Sequence, residues 1–243
     1  MSDRRPVAAR ILSMLDLTNL DDECSVEQIE TLCSRAVTPF GSVAAVCVWP
    51  RFVAMAASRL EGTSVRVATV ANFPHGGTDT NGVIAVIRAA LADGADEIDV
   101  VAPYRTLIAG DEAAYRDFLR AIRDTVHEPA HLKVILETGE LPDLQTVERA
   151  ATLAIECGAD FIKTSTGKSK VSATISAATV MLRVISRSGR TVGLKPSGGI
   201  RTVTDAAAYL ELADAIMGPS FTTPRTMRFG ASGLLDAVER ELA

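Results

Sequence analysis

Short apolar runs alternate with longer amphipathic segments along almost the whole chain, and this alternation limits the possible fold more than any other feature. Segments of helical period, such as 79–94 and 143–158, begin at Asp or Thr and end at Gly. The sequences "DGADEI", "CGADFI" and "LADAI" predict the same junction from helix to strand three times. The predicted strands lie within 11–18, 42–49, 65–73, 96–103, 131–138, 160–166, 191–197 and 213–219.

Strands that alternate with helices predict a parallel sheet. With eight such units and no long linker in 243 residues, we expect a single-domain α/β fold, the (β/α)8 TIM barrel. The domain would comprise residues 1–243, with a short helical extension at its N-terminus. A doubly wound sheet remains the alternative, although no G-x-G-x-x-G sequence opens the first helix, which disfavours its dinucleotide-binding form.

Three predicted strands carry a charged residue near their C-terminal ends. Alternate residues of a strand point to opposite faces, so Asp99 in "EIDVV", Lys163 in "DFIKTS" and Lys195 in "VGLKPS" oppose apolar neighbours. The apolar faces suit the outer surface, which helices cover. We therefore expect these three charges to point into the barrel, at the end where barrel enzymes carry their active sites.

Two lysines and a carboxylate in this position suit Schiff-base chemistry. Only a neutral amine attacks a carbonyl carbon, and the ordinary lysine pKa of about 10.4 leaves little of that form near neutral pH. Burial and the neighbouring cation Lys195 would both lower the pKa of Lys163. Asp99 could move protons while the carbinolamine forms and loses water. The iminium then weakens a nearby carbon–carbon bond, which is the chemistry of an aldolase.

Glycine-rich loops follow strands at the same predicted rim. Gly198 and Gly199 in "KPSGGIRT" lie between a strand and a helix, and "STGK" adds Gly167 and Lys168. Ser232 in "RFGAS" lies at the predicted start of the last helix, where anions are favoured. Each glycine alone is better explained as a turn. Together they favour a phosphorylated substrate, because barrels often bind phosphate after strands seven and eight.

Composition argues against several partners and compartments. A net charge of −5 offers no basic surface for nucleic acid or an anionic membrane. No run approaches the roughly 20 apolar residues needed to cross a bilayer, and the N-terminus lacks the apolar core of a secretory signal. The four cysteines lack CxxC spacing and the three histidines do not cluster with carboxylates. We expect a soluble, cytoplasmic protein without a metal site.

Several motifs resemble those of the deoxyribose-phosphate aldolase family in their order and approximate spacing. The resemblance extends from about "MLDLT" to the final helix. It implies a class I aldolase, without metal or organic cofactor, that reversibly cleaves 2-deoxy-D-ribose 5-phosphate to D-glyceraldehyde 3-phosphate and acetaldehyde in deoxynucleoside catabolism. It also suggests a homodimer. The motifs are "VCVWPRF", "ANFPHG", "DEIDVVAPYRTLIAGD", "LKVILETGEL", "GADFIKTSTGK", "VGLKPSGGIRT" and "RFGAS".

The resemblance implies roles for individual residues. Lys163 matches the lysine that forms the Schiff base, Lys195 the lysine that lowers its pKa, and Asp99 a proton-shuttling acid. Asp16 in "MLDLT" matches a second acid, although without the resemblance we would predict only an N-terminal loop there. Cys47 is equally explained as a small buried residue. The positions that match substrate or phosphate contacts are Thr18, Cys47, Thr166, Gly167, Lys168, Gly198, Gly199 and Ser232.

This chain departs from the family pattern in two places. Well-known relatives have two serines after "FGA", whereas here Ser232 is followed by Gly233. Some relatives end in a tyrosine-bearing tail that assists proton transfer, whereas this sequence ends in "ERELA". We therefore expect one phosphate contact fewer and slower cleavage.

Other functions are compatible with parts of the sequence. A transaldolase or another Schiff-base aldolase would keep the lysine and the phosphate rim, and products formed with acetaldehyde as donor would distinguish it. A metal-dependent aldolase or isomerase would lose activity in chelator. A phosphosugar sensor would bind without turnover. The buried lysine and aspartate could also form a purely structural pair.

Overall fold

Parallel strands form a closed wall around the centre of the molecule. The computed structural model describes residues 4–243, and in this part of the chain eight strands follow the order β8-β1-β2-β3-β4-β5-β6-β7 around the sheet. Parallel bridges between Leu194 and Met227 and between Ser197 and Gly230 join β7 to the β8 segment and complete the circle. The predicted TIM barrel is confirmed. The strands are β1 Leu15–Asn19, β2 Ala45–Val48, β3 Arg66–Ala71, β4 Glu97–Val101, β5 His131–Ile135, β6 Phe161–Lys163, β7 Gly193–Lys195 and β8 Phe229–Ala231.

Helices cover the outside of this wall, and the two that were predicted at 79–94 and 143–158 begin directly after Asp79 and Asp143, as expected. Asp79, Asp111, Asp143 and Thr174 each cap a helix, because each side chain accepts a hydrogen bond from the backbone N–H three residues further on. No helix within residues 4–243 combines the length and apolar character needed to span a bilayer. The helices are α1 Arg5–Ser13, α2 Val26–Arg35, α3 Val53–Arg59, α4 Thr80–Ala92, α5 Tyr104–Ile108, α6 Glu112–Arg123, α7 Leu144–Glu156, α8 Ile175–Arg187, α9 Val203–Met217 and α10 Leu234–Leu242.

The predicted eighth strand, 213–219, is wrong. Most of this segment, including "LADAI", belongs to α9, which begins after a capping box at Thr202 and ends before Gly218. Ala206, Leu210 and Ala213 are buried at helical spacing on one side of α9. A short apolar run fits a strand and a buried helix equally well, so its period did not distinguish them.

The true eighth strand, Phe229–Ala231, gives almost no sequence signal because it has three residues with a glycine in the middle. Ser232 therefore follows a strand and lies before the first residue of α10, Leu234, instead of beginning the helix. The predicted first strand, 11–18, is correct only in its second half: α1 continues to Ser13, and β1 begins at Leu15. Residues 1–3 of the predicted N-terminal extension lie outside the described residues.

Side chains alternate between the two faces of the wall, as predicted. Ile98, Ile162 and Leu194 are fully buried outside it, in the large apolar core that the helices complete. Inside, Phe161 lies over Gly193, where a Cβ atom would be 2.1 Å from the ring. This ring closes the interior below Lys163, because Phe161 lies two residues earlier on the same strand face.

The barrel interior is divided into an apolar and a charged part. A separate apolar cluster is formed by Leu20, which follows β1, and by small side chains of β2 and β3: Ala45, Cys47, Ala68 and Val70. Charged side chains from the remaining strands face this cluster. The interior around the predicted active-site residues is therefore bounded by small apolar side chains on one side and by charged side chains on the other.

Candidate active site

Charged side chains from six strands or their edges meet inside the barrel. Each is at most 3% exposed, although isolated buried charges are strongly disfavoured. Within residues 4–243, no three His, Cys, Asp or Glu side chains are grouped so that they could hold a metal ion. The carboxylates face cations of the protein instead. The cluster consists of Asp16, Glu97, Asp99, Lys133, Lys163, Lys195 and Arg228.

Asp99 is the centre of this cluster. Its Oδ2 atom accepts hydrogen bonds from Lys163 Nζ at 2.8 Å and from Lys195 Nζ at 2.7 Å. Its Oδ1 atom accepts a hydrogen bond from Lys133 Nζ at 2.9 Å. Lys163 and Lys195 are paired in register on neighbouring strands. The structure therefore brings together the three residues that the sequence placed at the reactive centre.

The two lysines that share Asp99 Oδ2 differ in their other contacts. Burial lowers the pKa of Lys163, and Lys195 lowers it further, which outweighs the opposing attraction of Asp99. Burial also acts against the charge on Lys195, but Asp16 and Asp99 outweigh it and raise the pKa of Lys195. Lys195 Nζ lies 2.5 Å from Asp16 Oδ2, an additional ion pair that Lys163 lacks. Lys163 is thus the lysine that can lose its proton.

The acids of the cluster remain ionised at neutral pH. Burial alone would raise the pKa of Asp99, but Lys133, Lys163 and Lys195 hold it well below its usual range. Burial likewise opposes the charge on Asp16, and Lys195, Arg228 and Lys133 together hold its pKa below the usual range. Asp16 and Asp99 are therefore proton acceptors at neutral pH, and each can donate a proton only after it has accepted one.

Sequence reasoning missed two members of the cluster, Lys133 and Arg228, and did not include Glu97 among the site residues although the alternation in "EIDVV" places it on the same inward face as Asp99. Arg228 Nη1 donates to Asp16 Oδ1 at 2.6 Å, and its Nη2 donates to Glu97 Oε1 at 2.9 Å. Lys133 Nζ lies 2.5 Å from Glu97 Oε2. The alternation in "HLKVI" could have identified Lys133 as inward-facing. Arg228 gave no such signal, because the eighth strand was predicted elsewhere.

A cavity of about 570 Å³ opens at the C-terminal ends of the strands, and the predicted phosphate loops line it. Gly198 has φ +84°, and a Cβ atom there would lie 2.6 Å from Ser172 Oγ and 3.1 Å from Gly167 Cα. The two glycine loops thus approach each other as only glycine allows. The predicted residues that line the cavity are Thr18, Thr166, Gly167, Lys168, Gly198, Gly199 and Ser232.

Other predicted residues lie deeper than this cavity. The Lys163 side chain is 3% exposed, whereas Lys133 and Lys195 are fully enclosed. Lys163 is therefore the least enclosed of the three lysines in the cluster. Cys47 lies in the apolar part of the interior, and burial raises the pKa of its thiol.

The Thr166 side chain is already engaged within the protein. Its hydroxyl donates to Glu137 Oε2 at 2.5 Å, and its backbone N–H lies 3.3 Å from both oxygens of the same carboxylate. Thr18 is engaged as well, because its hydroxyl donates to the backbone oxygen of Asp16 at 2.8 Å. Both threonines line the cavity, and each has a hydrogen bond that fixes its orientation.

Known proteins with similar sequences are aldolases. The sequence profile described as DeoC/LacD family aldolase matches residues 11–237. A deoxyribose-phosphate aldolase from Agrobacterium fabrum is 54% identical over 240 residues, which cover 98% of this chain and 93% of that protein.

Solved structures with the same fold point to the same family. A crystal structure from Coccidioides immitis, provisionally described as a deoxyribose-phosphate aldolase, is 31% identical with a TM-score of 0.85, covering 96% of this chain and 86% of that one. An apo structure from Toxoplasma gondii ME49, described in the same provisional way, is 26% identical with a TM-score of 0.89, covering 98% of this chain and 97% of that one. With nearly its whole length matched by the family profile and by a close relative, the chain belongs to the DeoC/LacD family of aldolases.

Proposed function

We propose that this aldolase reversibly cleaves 2-deoxy-D-ribose 5-phosphate to D-glyceraldehyde 3-phosphate and acetaldehyde through a Schiff base on Lys163. The observation that carries the proposal is the single oxygen, Asp99 Oδ2, that binds both Lys163 and Lys195 beneath a glycine-lined mouth. The 54% identity to the Agrobacterium fabrum enzyme supports the choice of substrate.

Neutral Lys163 begins the reaction by attacking the C1 aldehyde of the open-chain sugar. The new carbon–nitrogen bond places negative charge on the former carbonyl oxygen, which takes a proton from charged Lys195. Asp99 accepts the surplus proton of the attacking nitrogen and passes it to Lys195, since its Oδ2 contacts both nitrogens. Lys195 then donates a proton to the hydroxyl group of the carbinolamine, which leaves as water, and the iminium remains.

The iminium draws the electrons of the C2–C3 bond towards C1 when that bond breaks. The C3 hydroxyl loses its proton through water to Asp16 or Asp99, both of which are ionised and able to accept it. D-Glyceraldehyde 3-phosphate leaves, and an enamine of two carbons remains on Lys163. Protonation of its terminal carbon and addition of one water molecule release acetaldehyde and the free amine.

The rim of the cavity suits the phosphate group. Gly167, Gly198 and Gly199 let backbone N–H groups approach an anion without interference from side chains. Lys168 supplies positive charge, and its nearest acid is the exposed Asp22 at 3.9 Å. Helix α10 begins at the same cavity, and its first residue is preceded by Gly233, which provides no side-chain cap.

The Schiff base itself can be trapped with borohydride. When acetaldehyde is present, reduction should add an ethyl group to Lys163, because the iminium carbon takes up hydride. Mass spectrometry of the digested protein locates the adduct. Lys163→Arg should give none, whereas Lys168→Arg should still be labelled. An adduct on Lys133 or Lys195 would overturn the assignment of the nucleophile.

Replacement of Lys195 by Leu should raise the pKa of Lys163. The variant loses the cation that opposes a charge on Lys163, while Asp99 remains to stabilise that charge. The rise of kcat/KM with pH should shift to higher pH, and a shift of one unit would lower activity at neutral pH about tenfold. Activity should recover only in part in alkaline buffer, because the variant also lacks the proton that Lys195 donates to the former carbonyl oxygen. Lys168→Leu is the control, with weaker substrate binding but the original pH profile; an identical profile in Lys195→Leu would contradict the role of Lys195.

Gly233 offers a gain-of-function test of the phosphate rim. Its φ of −106° is open to any residue, and a Cβ atom there would meet nothing within 4 Å. Gly233→Ser restores the second serine of the family pattern, so KM for the phosphorylated substrate should fall several-fold, about the effect of one additional hydrogen bond. Gly233→Ala controls for the added carbon, and equal KM values for the two variants would argue against a phosphate at this position.

We also propose that the enzyme is a homodimer in the cytoplasm, with small aldehydes and sugar phosphates as its partners and neither nucleic acid nor a membrane. The family resemblance supports the dimer, and the four free, buried cysteines suit a reducing compartment. Sedimentation equilibrium should give twice the mass of the chain, 25.7 kDa. The mass of one chain at every protein concentration would refute the dimer.

A further inference from the structure

A buried glutamate lies behind the loop that lines the phosphate rim. Glu137 follows β5 and is 2% exposed. Its φ is +52°, in the left-handed region that is unfavourable for residues other than glycine. It is not among the residues that line the cavity. A buried acid in a strained conformation requires an explanation that the cleavage steps do not provide.

The carboxylate of Glu137 collects hydrogen bonds from the neighbouring loop. It accepts from the hydroxyl and the backbone N–H of Thr166, as described above, and Ser169 donates its hydroxyl to Oε1 at 3.0 Å. Thr166 Oγ1 in turn accepts the backbone N–H of Lys168 at 3.0 Å. One side chain thus fixes both ends of segment 166–169, between which Gly167 and Lys168 line the cavity.

The backbone on either side of Glu137 ties it to the nucleophile strand. Leu136 N–H donates to the backbone oxygen of Lys163 at 2.9 Å, and Thr138 N–H donates to that of Thr164 at 2.8 Å. These bonds continue the pairing of β5 with β6 beyond the last residue of β5. Glu137 therefore holds the rim at a fixed position relative to Lys163.

The turn that contains Glu137 also touches the far side of the rim loop. A Cβ atom at Gly139 would lie 2.0 Å from the backbone oxygen of Val171, so only glycine fits there. Ser169 Oγ contacts that same oxygen at 2.9 Å. Turn and loop are consequently packed as one unit.

The contacts require an acceptor at Glu137, and a charged acceptor is stronger than a neutral one. The N–H and the hydroxyl group of Thr166 both donate to Glu137, and the Thr166 oxygen is already occupied by the N–H of Lys168. The single hydrogen of the Ser169 hydroxyl is shared between Glu137 Oε1 and the backbone oxygen of Val171. Glutamine would keep one oxygen for Thr166 but lose the negative charge, which roughly doubles the strength of such a hydrogen bond.

We propose that Glu137 is a positioning residue that sets the affinity for the substrate's phosphate group by holding segment 166–169 in shape. It takes no part in bond cleavage. This inference rests on the proposed function, in which that segment forms part of the phosphate site.

The test is the variant Glu137→Gln, which has nearly the same shape. KM for 2-deoxy-D-ribose 5-phosphate should rise several-fold, about the effect of replacing a charge-assisted hydrogen bond by a neutral one, while kcat stays within about twofold. For 2-deoxy-D-ribose without phosphate, kcat/KM should be unchanged. Glu140→Gln is the matched control, since Glu140 lies in the same turn, carries the same charge and is exposed.

The two substrates separate the possible outcomes. Equal losses on both substrates, or an unchanged KM for the phosphorylated one, would overturn the positioning role. If the wild-type enzyme itself did not prefer the phosphorylated sugar, the proposed phosphate site would fail instead. Should Glu137→Gln not fold, as judged by thermal melting, Ser169→Ala removes one arm of the same cluster. It should raise KM for the phosphorylated sugar about threefold, and no change in that KM would equally refute the inference.

Discussion

One carboxylate oxygen shared between two lysines determines how this barrel works. Asp99 Oδ2 contacts both Lys163 and Lys195. Asp16 forms an ion pair with Lys195 but not with Lys163, so the positive charge is stabilised more strongly on Lys195. The result is an amine that is charged in the resting protein, Lys195, next to one with a lowered pKa, Lys163. Identical side chains on adjacent strands thereby acquire opposite chemical roles, and the difference depends only on which of them a second acid can reach.

The same network makes catalysis and folding interdependent. Each carboxylate in the interior has at least two cationic neighbours, so the desolvation of the charges is offset collectively. Removal of one member of a buried ion pair commonly costs about 3–5 kcal/mol, because a charge is left without its partner. The apolar half of the interior, where Cys47 lies, cannot supply a replacement. Lys163 therefore has its lowered pKa only within a barrel that is closed around it, because burial is the main cause of that shift.

The barrel and three of its inward charges could be predicted from local sequence patterns, whereas Arg228 and the role of Glu137 could not. The alternation of strands and helices gave the barrel, and the two-residue period gave the inward direction of Asp99, Lys163 and Lys195. Arg228 was missed because the strand that follows it is too short to show a period of two. In addition, the preceding helix contains a short apolar run that was predicted to be the eighth strand. The engagement of Thr166 by Glu137 depends on a turn and a loop that meet only in three dimensions.

The pairing of Asp16 with Arg228 has a consequence for the order in which the molecule is assembled. The two residues are 212 positions apart, since the last strand lies next to the first. During synthesis on the ribosome, Asp16 on the first strand cannot pair with Arg228 until almost the whole chain has been made. Contacts of such long sequence separation form slowly. Newly made chains should therefore complete this ionic cluster late, once the last strand has been synthesised.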